Sequence, residues 1–182
     1  MVDLKEFEQK AADLRVLGMK ISIGQDTVYE KYWDEDCRRN IYSASKSFTS
    51  CAVGFAVQEG LIDLDERLMD AFKEDIPNNP DENLKKATVK DLLTMTLGQE
   101  KGFLMGKQRP RMEEQNWVKA SLAIPFVYEP GTHFVYNNVG PYLAGILVQR
   151  RAGCDLLSYL TPRLLKPLGI RKTIWEEDPE GN

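Results

Sequence analysis

Only one stretch of this chain, Met19 to Trp33, alternates apolar and polar residues with the two-residue period of a β-strand, and it does so around a Gly24-Gln25-Asp26-Thr27 turn signal. Ile21 and Ile23 precede the turn, and Val28, Tyr29 and Tyr32 come after it. The pattern predicts a single β-hairpin. Two strands are marginal alone in water and leave an unpaired edge, so other elements have to cover them.

The rest of the pattern is helical. Leu4, Phe7, Ala11, Leu14 and Leu17 recur at three-to-four spacing and predict an amphipathic helix over Asp3 to Leu17, ended by Gly18. A second helix is predicted from about Ser43 to Gly60, apolar on nearly all sides and therefore buried, with Cys51 as a small core residue. Ile62 to Phe72 reads as a short helix, and Ile76 to Ala87 as a loop by its Pro, Asn and Asp content. Thr88 and Asp91 form a capping pattern for a helix stopping at Gly98. Further helices are predicted over Glu113 to Ala123, Gly140 to Ala152 and Asp155 to Leu165, the last interrupted at Pro162. The resulting division is a helix and hairpin over residues 1–41 and a mostly helical region over residues 42–182.

Charge and cysteine usage exclude several classes. With 24 basic against 28 acidic residues and a net charge of -4, no basic surface for nucleic acid is expected. The first residues alternate in charge where a signal peptide would be basic and then apolar, and no apolar run is long enough to span a bilayer. The chain as read is cytoplasmic; a periplasmic or extracellular location requires a leader that has been removed. Cys37, Cys51 and Cys154 are odd in number and scattered, which fits free thiols and neither a disulfide framework nor a zinc site.

Two short motifs carry chemistry. In Ser43-Ala44-Ser45-Lys46 the serine and lysine are three residues apart, which on a helix puts them side by side. A serine hydroxyl is a weak nucleophile until a neighbouring base takes its proton, and a lysine can do this where burial disfavours its charge. The N–H of Ser43, at the positive end of a helix, would suit an oxyanion. Tyr136-Asn137-Asn138 comes after the Pro130-Gly131 turn signal and adds a phenol that can exchange protons with a lysine and an amide that can hold both a carbonyl and an ammonium. His133 is the sole histidine, and nothing in the sequence ties it to a particular serine.

These motifs, in this order, resemble those of the serine β-lactamase and penicillin-binding protein superfamily. The resemblance is to its class C β-lactamase-related branch, which includes esterases and D-amino-acid peptidases. "YSASKSFTS", "QEGLIDLDERL", "ATVKDLLTMTLG", "YEPGTHFVYNNVGPYLAGILVQRRAG" and "LLKPLGI" extend the likeness over almost the whole chain. It implies an α+β fold of the β-lactamase/transpeptidase type. Ser43 matches the nucleophile, Lys46 the activating lysine, Tyr136 a base or proton relay and Asn138 the substrate-orienting asparagine. The implied substrate is a small molecule or peptide with an ester, amide or lactam carbonyl, and neither a cofactor nor a metal is implied.

The branch also carries a later Lys/His-x-Gly motif on a strand. Lys172-Thr173-Ile174 does not supply it, because Ile174 stands where the motif has glycine. The expectation is therefore one β-lactamase-like catalytic domain, incomplete in this chain. It would act within a longer protein, or with a complementing chain or second copy over the hairpin edge, and the isolated chain would be a poor catalyst. The alternative is a noncatalytic binding or interaction module that keeps the fold without a working site.

Overall fold

The alternating stretch folds as a hairpin in the computed structural model, which describes residues 4–35 and 37–182. β1 (Gly18–Ile23) pairs antiparallel with β2 (Asp26–Tyr32), Gly18 opposite Tyr32, and the register shifts between Ile21 and Ser22. Met19, Ile21, Tyr29 and Lys31 are the half-buried strand positions, whereas Ile23, Val28 and Tyr32 stay exposed. The bulge accounts for the β2 residues: the extra residue puts Tyr29, and not Val28, opposite Ile21, so Val28 and Tyr32 fall on the exposed side.

α1 (Lys5–Asp13) is shorter than the predicted helix, with Leu14 and Leu17 exposed beyond its end; Asp3 lies outside the described residues. Its Glu8 carboxylate accepts hydrogen bonds from Tyr29 at 2.7 Å and Lys31 at 2.5 Å. Phe7 meets Trp33 edge to face, with ring centroids 6.0 Å apart. The Lys31 and Tyr29 hydrogen bonds hold the Glu8 carboxyl below its usual range, while loss of solvation and the Glu8 charge push Tyr29 up to about 12. Residues 1–41 make one compact unit and residues 42–182 another.

The second unit is built on α2 (Ser45–Gln58) and α6 (Val139–Ala152), which pack against each other. α6 buries Val139, Leu143, Ala144, Ile146, Leu147 and Val148 and ends at Gly153, whose φ of 69° closes the helix. α2 departs from expectation. It buries Thr49, Ala52, Val53 and Ala56, but Ser47, Ser50, Cys51, Gly54, Val57 and Gln58 are exposed. Cys51 is thus a surface residue, because helical apolarity marks a face fit for burial without specifying what covers it.

Shorter elements complete the unit. α3 covers only Leu68–Ala71 of the predicted Ile62–Phe72 helix. Before it the chain turns at Asp63–Glu66, and Arg67 is held extended by a bridge to Thr88, with Leu68 N–H donating to the Ala87 carbonyl and Val89 N–H to the Glu66 carbonyl. α4 (Val89–Thr94) has the reciprocal Thr88–Asp91 cap and ends before Gly98, because Met95 turns left-handed at φ 58°. α5 (Trp117–Leu122) starts where Asn116 accepts from the Lys119 N–H. α7 (Leu156–Leu160) is capped by Asp155 and runs into a π-helical turn, Thr161–Leu165, around Pro162. Among the described residues, no helix is long and apolar enough to cross a membrane.

Gly140 sets how closely α6 meets α4. A Cβ there would lie 3.3 Å or less from Leu92 Cα and its carbonyl group. Gly140→Ala is expected to destabilise the protein by about 2–3 kcal/mol through overpacking. Gly145→Ala, whose Cβ meets Leu156 at 3.4 Å, should cost clearly less. Urea denaturation of the two variants side by side checks the difference.

Candidate active site

Ser43 belongs to a short 3-10 turn, Tyr42–Ala44, that leads into α2. The serine therefore lies just before the α-helix, outside its first turn, and Ala44 occupies the cap position. The 3-10 geometry still aligns residues three apart, and Lys46 Nζ donates to Ser43 Oγ at 3.2 Å. Tyr42 enters this turn at φ 46°, a conformation that costs a residue with a Cβ and sets the direction in which the chain enters Ser43.

The second motif arrives from 93 residues away. Tyr136 Oη donates to the same Ser43 Oγ at 2.7 Å. Lys46 Nζ also donates to Asn138 Oδ1 at 2.7 Å and lies 5.3 Å from the centre of the Tyr136 ring. Ser43, Lys46, Tyr136 and Asn138 thus meet at one place. Asn138 is the cap residue of α6, so the packing that seats α6 also delivers its amide to Lys46. The preceding Asn137 is buried and accepts the Gly140 N–H.

The arrangement has a defined electrostatic bias. The hydrogen bond with Ser43 lowers the Tyr136 pKa from its ordinary value, the nearby Lys46 charge adds to this, and partial burial opposes it. A neutral phenol donates to Ser43; an ionised one accepts the serine proton. The cluster can therefore move a proton off Ser43 Oγ over one 2.7 Å hydrogen bond.

Sequence reading missed one member. Asn138 Nδ2 donates to the Leu104 carbonyl at 2.9 Å. A main-chain oxygen leaves no mark in the residue types, residues 99–112 carry no clear period, and their two glycines, Gly102 and Gly106, do not reveal that only Gly102 lies against another segment. His133, the sole histidine, stacks on Tyr128 with centroids 4.2 Å apart, and its Nδ1 pairs with the Thr132 hydroxyl at 2.8 Å.

A family model described as Beta-lactamase matches residues 5–182. This chain belongs to the β-lactamase family. Among curated relatives, monacolin J acid methylbutanoyltransferase of Aspergillus terreus is 31% identical over 157 residues, covering 75% of this chain and 37% of that protein. Lovastatin esterase of Penicillium rubens is 31% identical over 150 residues, covering 70% and 37%. The family fold is seen in the solved octameric penicillin-binding protein homologue from Pyrococcus abyssi. It matches with a TM-score of 0.76 at 22% identity, over 96% of this chain and 45% of that one. The chain therefore spans 37% of the length of these curated relatives. By kinship it is part of a family of serine hydrolases and acyltransferases.

The lowered Tyr136 pKa gives a signed prediction. Lys46→Met removes a neighbouring positive charge, so the phenol should ionise at higher pH than in the native chain. Ser43→Ala removes the larger contribution and should raise it further. Carbon-13 NMR titration of Tyr136 reads both, and a downward shift in either variant would contradict this account of the site.

Proposed function

We propose that this chain supplies the nucleophile and proton-transfer groups of a serine acyl hydrolase acting on an ester, amide or β-lactam carbonyl. Both units are read as parts of one β-lactamase-like catalytic domain. The proposal applies to the protein this chain forms alone, within a longer polypeptide, or with a complementing chain or second copy over the hairpin edge. The observation that carries it is the convergence of Tyr136 Oη at 2.7 Å and Lys46 Nζ at 3.2 Å on Ser43 Oγ.

In this reading Ser43 Oγ attacks the carbonyl carbon as its proton passes to Tyr136, whose ionised form is favoured by Ser43 and the Lys46 charge. The carbonyl electrons move onto oxygen, where the Ser43 N–H is the candidate donor. Collapse breaks the bond to the leaving alkoxide or amine, which takes the proton from Tyr136. Water then attacks the acyl–serine ester, one proton returns to Ser43, and the acid departs. Asn138 orients the donor's carbonyl group and holds Lys46 in place.

The relatives' names, an acyltransferase and an esterase, fit a shared acyl–serine stage with different acceptors. A fluorophosphonate probe and subsequent peptide mapping test the proposal directly. The adduct is expected on Ser43 and absent in Ser43→Ala, and Tyr136→Phe should slow labelling by about 10²–10⁴-fold. Labelling of another residue, or hydrolysis that survives Ser43→Ala, would overturn the proposal, and no adduct at all would support the noncatalytic alternative.

A further inference from the structure

We infer that residues 102–105 form a positioning strap which fixes the direction of the Asn138 amide through the Leu104 main-chain carbonyl. The inference rests on the catalytic reading of Ser43 and adds a second layer to it.

Leu104 is 2% exposed and takes φ 56°, a left-handed conformation that a leucine adopts only when its surroundings impose it. That conformation turns its carbonyl toward Asn138 Nδ2, 2.9 Å away. One residue earlier, the Phe103 carbonyl accepts the Asn138 backbone N–H at 3.2 Å. The strap lies so close to the motif that a Cβ on Gly102 would be 2.7 Å from the Tyr136 carbonyl oxygen. Its outgoing end is closed by Gln108, whose Oε1 accepts the Met105 N–H at 2.9 Å and whose own N–H donates to the Met105 carbonyl at 2.7 Å.

An asparagine amide is nearly symmetric in shape, so its partners must settle which end is oxygen. A carbonyl can only accept, and the Lys46 amine bonded on the other side donates. A flipped amide would set oxygen against oxygen at Leu104 and N–H against N–H at Lys46. The strap thus commits Asn138 Oδ1 to Lys46 and leaves the second Nδ2 hydrogen for the carbonyl of an acyl donor. Leu104 is a positioning residue that acts through its backbone.

A double-mutant cycle separates this role from simple structural support. Gly102→Ala should push the strap from Tyr136 and slow fluorophosphonate acylation of Ser43 by about tenfold or more, as small misplacements of reacting groups do. In an Asn138→Ala background the same change should cost less than about twofold, because the group it positions is gone. Equal losses in both backgrounds, or no loss in either, would overturn the strap. Gly106→Ala, on the same loop with no neighbouring atom closer than 3.8 Å, is the unaffected control. Should Gly102→Ala fail to fold, Leu104→Gly, which keeps the carbonyl but frees φ, runs through the same cycle. Nitrogen-15 NMR reads the strap without turnover. One Asn138 side-chain proton should exchange slowly in the native chain and quickly in Gly102→Ala, and two fast protons in the native chain would overturn the inference. Absence of any Ser43 acylation would sink the catalytic reading alone, with the amide measurement still deciding the strap.

Discussion

The placement of Asn138 at the head of α6 is the constraint on which the site depends. Its backbone carbonyl accepts the Tyr142 N–H at 3.1 Å and so begins the helix, while its side chain reaches Lys46. The helix behind it is among the most buried parts of the chain, with Val139, Leu143, Ala144 and Val148 all at 0% exposure. Burial of that apolar face is worth far more than one hydrogen bond. Packing therefore chooses where Asn138 goes, and the polar contacts only refine the direction in which it points.

The unit holding the site is rigid behind and open in front. Behind Lys46, α2 is fixed through Ala52, Val53 and Ala56, and its far end is tied by Glu59, which accepts from Tyr159 at 2.9 Å and pairs with Arg163 at 2.7 Å. Around Ser43, its neighbour Tyr42 and its partner Tyr136 remain exposed. The proposed nucleophile, Ser43, would need this division, since its neighbours must keep still while a second molecule approaches.

Features set by neighbours in the sequence were legible in it. The three-residue step from Ser43 to Lys46, the Thr88–Asp91 cap and the Gly153 helix end all depend on local geometry, and residue type reveals them. The features that escaped depend on distant partners. Residues 63–66 make a turn and Arg67 is held extended by its bridge to Thr88, and α4 stops early where the Met95 carbonyl accepts the Val135 N–H. The bare face of α2 escaped for a different reason: small residues such as Ser47, Ser50 and Gly54 suit either a close neighbour or water, and periodicity does not distinguish them. The likeness of ordered motifs to a family brought Tyr136 and Asn138 beside Ser43 on paper, which spacing alone across 93 residues does not do.

The exposure of Tyr136, 44% of its surface, has an electrostatic consequence. Water around the phenol screens the Lys46 charge, and two unit charges 4 Å apart in bulk water interact by only about 1 kcal/mol. At the effective dielectric constant of a partly covered protein surface the same pair is worth about 4 kcal/mol. In the proposed function, an acyl donor seated over Ser43 would displace that water. Its arrival would then strengthen the field acting on its own carbonyl, so that the dielectric of the proposed reaction is completed by the molecule that reacts.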